Sequence, residues 1–329
     1  MKLPVVIKKN ALASSIACVA GLFSAGSLAM PVVVTDGGDM GAGTLRAALE
    51  SGAREIVIDD GVVEIMITMP LEYIDERPLA IYGSGQTIKA MGDFTLLEIS
   101  NGASATISSL TFEGPGGFDI NSQSDEDAPG KGIFVDVRDN QNGRVQLTLR
   151  DVTVRGVANH GVHISDCDLA DDCGGGGGGA GGGSSAGIGV EFVNVTIDDV
   201  GNGKFDADGL RVDERANGNV IFVAHNSRFI GVGADGVELD EGQNGDVTVT
   251  VTNSTFDGNG LYCDPAILEG ELSTFLDGQA DEAEFEEAEE VLEEDLAGPV
   301  IGSSDDSCFE YEVDLYDSGF VEALSLIHI

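Results

Sequence analysis

Apolar residues in this chain recur mainly in short alternating runs, the signature of half-buried strands with period two. The clearest case is a stretch that says nearly the same thing twice. DADGLRVDERANGNVIFVAHNSRFIGVG (206–233) is followed at once by ADGVELDEGQNGDVTVTVTNSTFDGNG (234–260). Asp208-Gly209-Leu210 returns as Asp235-Gly236-Val237, and Asn226-Ser227-Arg228-Phe229 returns as Asn253-Ser254-Thr255-Phe256, both at an offset of 27 residues. Within a unit, runs such as Leu210-x-Val212 and Val220-x-Phe222 flank a polar turn. A unit this short cannot bury its own apolar face, so the pattern predicts stacked repeats, an all-β solenoid.

The echo extends towards the N-terminus. GIFVDVRDNQNGRVQLTLRDVTVRG (132–156) fits the template, HGVHISD (160–166) opens another copy, and Asn194-Val195-Thr196-Ile197 closes it. Ser109-Leu110-Thr111-Phe112 supplies an earlier closing strand, making four openings and five closings. TDGGDMGAGTLRAALESGAREIVID (35–59) and ITMPLEYIDERPLAIYGSGQTIKA (67–90) precede them. Over about 32–260 the chain resembles the right-handed parallel β-helix proteins, the superfamily that includes the pectate lyases. NSTFDGNG is the kind of rung they repeat, and the GTLR stretch looks like their cap. The resemblance implies a right-handed single-stranded parallel β-helix with an N-terminal cap helix at Gly43–Leu49.

The flanks differ in character. Three lysines in residues 1–10, an apolar run from Ala11 to Phe23 and Ser27-Leu28-Ala29 before Met30 predict a signal peptide over 1–29. The solenoid domain is expected over 30–262, interrupted by a glycine-rich loop at 167–186. An acidic, partly helical appendage is expected over 263–323, with FEYEVDL (309–315) as a further strand. Residues 324–329 read as an adapter read-through artefact. No later run is long enough to cross a bilayer as a helix, so membrane insertion is not expected. The expected location is secreted, periplasmic or cell-surface.

Charge narrows the partners. The net charge is −42, and losing Lys2, Lys8 and Lys9 with the signal would leave about −45. Such a field opposes nucleic acid and favours cations. Export leaves Cys167, Cys173, Cys263 and Cys308, an even number that suggests two disulfides. Four cysteines allow three pairings; Cys167–Cys173 and Cys263–Cys308 are the pairs expected, one pinching the loop and one tying down the tail.

Candidate chemistry follows from aligning the four openings. Phe134, His163, Arg211 and Glu238 fall in one outward column, and Asp136, Ser165, Asp213 and Asp240 in the next, with rungs ~4.8 Å apart. Asp208, Asp213, Asp235, Asp240 and Glu241 would concentrate carboxylates at rung spacing, which raises a pKa or recruits a divalent cation. Ca2+ suits such a set because it takes six to eight oxygens in loose geometry; exposed acids in ordinary turns are the plainer alternative. His163, Arg211 and Glu238 are the candidate ligand-contacting residues.

Two functions are open at this point. One is a non-catalytic surface or binding protein for a polysaccharide or cell-surface ligand, assisted by Ca2+. The other is a polysaccharide lyase or glycoside hydrolase acting on acidic polysaccharide. In the pectate-lyase reading, the resemblance implies Arg211 as the base beside aspartate-bound Ca2+. The chain lacks that family's WIDH strand and Arg-x-Pro-x-x-Arg motif, and it has Asn159-His160-Gly161 where a polygalacturonase would carry Gly-His-Gly. The first function is therefore preferred.

Overall fold

The computed structural model describes residues 30–120, 130–138, 140–166, 184–204, 207–214, 216, 218–241, 245–259, 311–315 and 321–326. The cysteines at 167, 173, 263 and 308, the segment 1–29 expected to be a signal, most of the glycine-rich stretch expected to be a loop and residues 263–310 of the expected appendage lie outside them.

The early part of the chain consists of β1 (Val32–Val34), α1 (Leu45–Glu50), β2 (Glu55–Ile58), β3 (Glu64–Ile67), β4 (Leu71–Tyr73), β5 (Leu79–Ala90), β6 (Leu97–Ile99) and β7 (Ala105–Glu113). Four turns of near-identical layout follow: β8 (Ile133–Asp136), β9 (Arg144–Arg150) and β10 (Thr153–Arg155); β11 (Val162–Ser165), β12 (Gly187–Val193) and β13 (Thr196–Asp198); β14 (Leu210–Glu214), β15 (Val220–His225) and β16 (Arg228–Ile230); β17 (Val237–Glu241), β18 (Val247–Thr252) and β19 (Thr255–Asp257). Two last strands, β20 (Tyr311–Leu315) and β21 (Val321–Leu326), pair with β17 and β18. Tyr311–Leu315, assigned above to the appendage, and Val321–Leu326, assigned to the appendage and an artefactual tail, thus extend the two sheets.

All strand pairings among the described residues are parallel. One sheet runs β20-β17-β14-β11-β8-β6-β4, and the other carries the second and third strands of each turn. Long parallel sheets stacked turn upon turn are consistent with a β-helix-like solenoid. Inward columns such as Val162–Leu210–Val237 and Ile164–Val212–Leu239 are buried, as alternation requires. Phe229 and Phe256 add a face-to-face pair, 4.7 Å between centroids, and Phe192 meets Phe222 edge-on at 5.7 Å.

Two backbone features explain the repeated letters. Ser109, Asp151, Asn194, Asn226 and Asn253, each just before the third-face strand or segment, have φ of 51–56°. Asn and Asp tolerate this left-handed corner better than other side chains. The Asn194 side-chain amide also donates to Asp151 Oδ1 of the previous turn at 3.0 Å. The glycines before the first strand serve a different purpose, because their φ is not positive. A Cβ on Gly209 would lie 2.4 Å from Gly236 O, and one on Gly161 would lie 2.7 Å from Gly209 O. Glycine here permits close approach between turns.

In the early rungs, α1 begins at Thr44, whose hydroxyl accepts the Ala47 N–H, and buries Leu45, Ala48 and Leu49 beside β1 and β4. Arg46 reaches Asp39 Oδ1 (Nε, 2.9 Å) and the carbonyls of Met69 and Pro70. Burial pushes the Asp39 carboxyl up, but hydrogen bonds from Thr68 and Arg46 outweigh it and hold the group below its ordinary value.

Gly209→Ala should therefore cost at least the roughly 1–3 kcal/mol of an overpacked site, since a backbone carbonyl cannot turn aside. Gly231→Ala, at a φ of 59° with open space around its Cβ position, should cost only the strain of a left-handed alanine, about 1 kcal/mol. Urea denaturation of the two variants checks the order.

Candidate cation and acid–base site

The first-face sheet brings the predicted outward column together in register: Phe134, His163, Arg211 and Glu238 stand on β8, β11, β14 and β17. Glu98 on β6 and Glu72 on β4 continue it at one end, and the backbone of Glu312 on β20 at the other. The sequence reading left these positions facing solvent. Instead, His163, Glu238 and Phe134 are buried, Asp213 and Asp235 are buried, and Asp208 is 0% exposed. The second-face strands behave as alternation predicts, with outward side chains of β15 and β18 half-buried.

Arg211 organises the group. Its Nε donates to Asp213 Oδ1 at 3.0 Å, and its Nη1 pairs with Glu238 Oε2 directly across the ladder. The same nitrogen lies 3.6 Å from Asp208 Oδ2. The other oxygen of Asp213 meets His163 Nε2 at 2.7 Å. Burial, followed by the nearby Lys131 charge, drives the His163 imidazole down to about 3, so it is neutral and its Nε2–H donates to Asp213. His163 Nδ1 is then a buried acceptor without a hydrogen-bond partner.

Asp208 and Asp235 precede their strands by two residues and are tied across the turn, Asp235 N donating to Asp208 Oδ1 at 3.1 Å. His160 packs beside His163, ring centroids 4.8 Å apart. Its Nδ1 accepts the Asp208 backbone N–H at 2.9 Å, so that nitrogen carries no proton. It lies 3.3 Å from Asp208 Oδ2 as a neutral neighbour and not as a counter-ion. Burial lifts the Asp208 carboxyl to about 6, against the pull of Arg211, the Asp235 N–H and a hydrogen bond with Glu238.

One oxygen each from Asp208, Asp235 and Glu238 lies within 4.8 Å of the others. Asp208 Oδ2 is buried and has no hydrogen-bond partner. Asp208, Glu238 and Asp213 converge on the guanidinium of Arg211, and Asp235 stands beside the first two. That imbalance favours either retained protons or a bound cation.

The grouping differs from the one drawn by counting along the sequence. Glu238, expected to contact ligand, belongs with Asp208 and Asp235. Asp213, expected among the metal ligands, has both oxygens committed to His163 and Arg211. Asp240 and Glu241 keep their register opposite Asp213 and Glu214, but their side chains lie outside the described residues. His160, met in the sequence only as part of Asn159-His160-Gly161, is part of the network. Its place beside His163 and before a glycine of the repeat was the only available hint.

Two opposed pH effects follow. His163 has a lowered folded-state pKa, so its contribution is present above the unfolded value near 6.5 and is lost as pH falls towards 3. Asp208 has a raised one, so its contribution is present below the unfolded value near 3.8 and is lost as pH rises through 6. In chelator, His163→Asn should flatten the loss of melting temperature between pH 6.5 and 4, and Asp208→Asn should steepen it; melts across that range check both. Comparison with models of known protein families, with curated proteins and with solved structures finds no match.

Proposed function

We propose that this protein is an exported, non-catalytic binding protein built as a right-handed parallel β-helix of the pectate-lyase-like kind. In this reading its first-face sheet holds a divalent cation, with Ca2+ the best fit, and the occupied face serves attachment to a polysaccharide or cell-surface ligand. The observation that carries it is the buried trio of Asp208, Asp235 and Glu238 with the unbonded Asp208 Oδ2. An all-carboxylate donor set suits a hard cation. The chain's acidity supports the same choice, since a polyanion attracts cations and repels acidic glycans unless a cation bridges them. Export rests on the signal-like segment 1–29.

A lyase using Arg211 as base fits less well. Ion pairs with Asp213, Glu238 and Asp208 all favour the protonated guanidinium. A hydrolase reading draws on one observation, the Asp208 carboxyl held near 6 against Glu238, which would let it donate a proton near neutral pH. Arg211→Ala cannot separate these readings, because stripping a buried pair of one partner costs about 3–5 kcal/mol whatever the function.

Calcium titrated into chelator-treated protein should bind with measurable heat. It should add about 2.7 kcal/mol of stability when free calcium is 100 times Kd. Asp235→Asn should lose both effects. Melting curves that coincide with and without calcium would remove the cation reading. Reducing ends or ultraviolet-absorbing unsaturated products released from a panel of uronate polymers, and lost in Asp208→Asn, would establish the enzyme instead.

A further inference from the structure

The methionines are distributed unlike the other apolar residues. The chain has six, and the five among the described residues (Met30, Met40, Met66, Met69 and Met91) are all exposed. The buried core contains none. Methionine ordinarily fills irregular gaps in cores; among the described residues it is kept out of the interior and falls within 30–91.

Four of the five issue from one hydrogen-bonded knot. Met66 points outward from β3, between the inward Ile65 and Ile67. Thr68, just past the strand, donates through its N–H (3.0 Å) and its hydroxyl (2.6 Å) to Asp39 Oδ2, which fixes the position of the next residue, Met40. Arg46 grips the other oxygen of Asp39 and also the carbonyl of Met69, the residue after Thr68. On the neighbouring strand, Met91 N donates to Ile67 O at 2.9 Å, placing Met91 across from Thr68. Met66 and Met69 are therefore within two residues of Thr68, Met91 lies across from it, and Met40 follows the aspartate that Thr68 bonds. Lys89, opposite Met66, has its charge engaged by Glu113.

Exposed thioethers whose residues share one hydrogen-bonded frame suit a soft ion. Thioether sulfur selects Cu(I)-type cations over the hard cations that carboxylates take, and the polyanionic chain enriches any cation at its surface. We propose that Met40, Met66, Met69 and Met91 form a surface site for a soft monovalent cation, Cu(I) or Ag(I), bound through sulfur. It is separate in residues and in chemistry from the carboxylate trio.

The test uses full-length protein carrying 13C-methyl methionine, with thiols blocked by N-ethylmaleimide and Ag(I) added in steps. Single Met→Leu variants assign the methyl signals, and Met30, 86% exposed, is the internal control. The expected result is that the four clustered methyls shift together and saturate near a single equivalent while Met30 stays still. The Met66→Leu/Met91→Leu double variant keeps the apolar volume and removes two sulfurs. It should weaken binding by at least the roughly 10–100-fold that outer-shell changes cost a metal site. The proposal is overturned if Met30 shifts in step with the others, if no methyl moves at a single equivalent, or if the double variant binds Ag(I) as tightly as the parent.

Discussion

The structure depends on turns of chain lying directly on one another, backbone against backbone. At the start of the first-face strands the contact is close: Gly161 N donates to Asp208 O at 2.9 Å, Gly209 N to Asp235 O at 2.8 Å, and Leu210 N to Gly236 O at 3.1 Å. Only glycine leaves room there, because the next turn's carbonyl occupies the space a Cβ would need. Once that contact is made, every residue after it is held at a set height and on a set face. Inward aliphatics meet inward aliphatics, and polar side chains form columns whether or not their charges are compatible.

The carboxylate site is a consequence of that constraint. Asp208 and Asp235 stand immediately before the close-packed glycines, so stacking places one above the other and delivers a backbone N–H to the first. Across the ladder, Arg211 falls opposite Glu238 and reaches back to Asp213. A column of unlike residues becomes a network because one guanidinium can serve three carboxylates. Burial then sets the protonation: it keeps His163 neutral and makes Asp208 reluctant to ionise. The same desolvation that makes the cluster costly makes it selective for whatever neutralises it.

On the second sheet the same stacking has milder results. Lys89, Glu113 and Arg155 form an exposed ladder of alternating sign across three turns. Exposed pairs of this kind contribute about 0–1 kcal/mol each. Beyond Arg228 the chain has no Lys or Arg at all.

The repeated letters were enough to predict stacked strands in register. A spacing of 27 residues, alternating aliphatics and recurrent Asn before the third-face strands determine strands, inward columns and register, because stacked backbones allow few ways to superimpose equal units. The columns through His163, Arg211 and Glu238 were therefore legible before any coordinates, as were the stacked acids. Burial was not legible. Alternation assigns every second residue to the outside, and nothing in GVHIS or GLRVDE says that the outside of that sheet is withdrawn from solvent. Nor could spacing reveal that Asp213 turns towards His163 while Glu238 turns towards Asp208, or that His160 Nδ1 accepts a backbone N–H. Those outcomes depend on side-chain direction and desolvation, which arise only when three turns and several loops are in place together. Sequence determined which residues share a column; tertiary structure decided which of them share a proton.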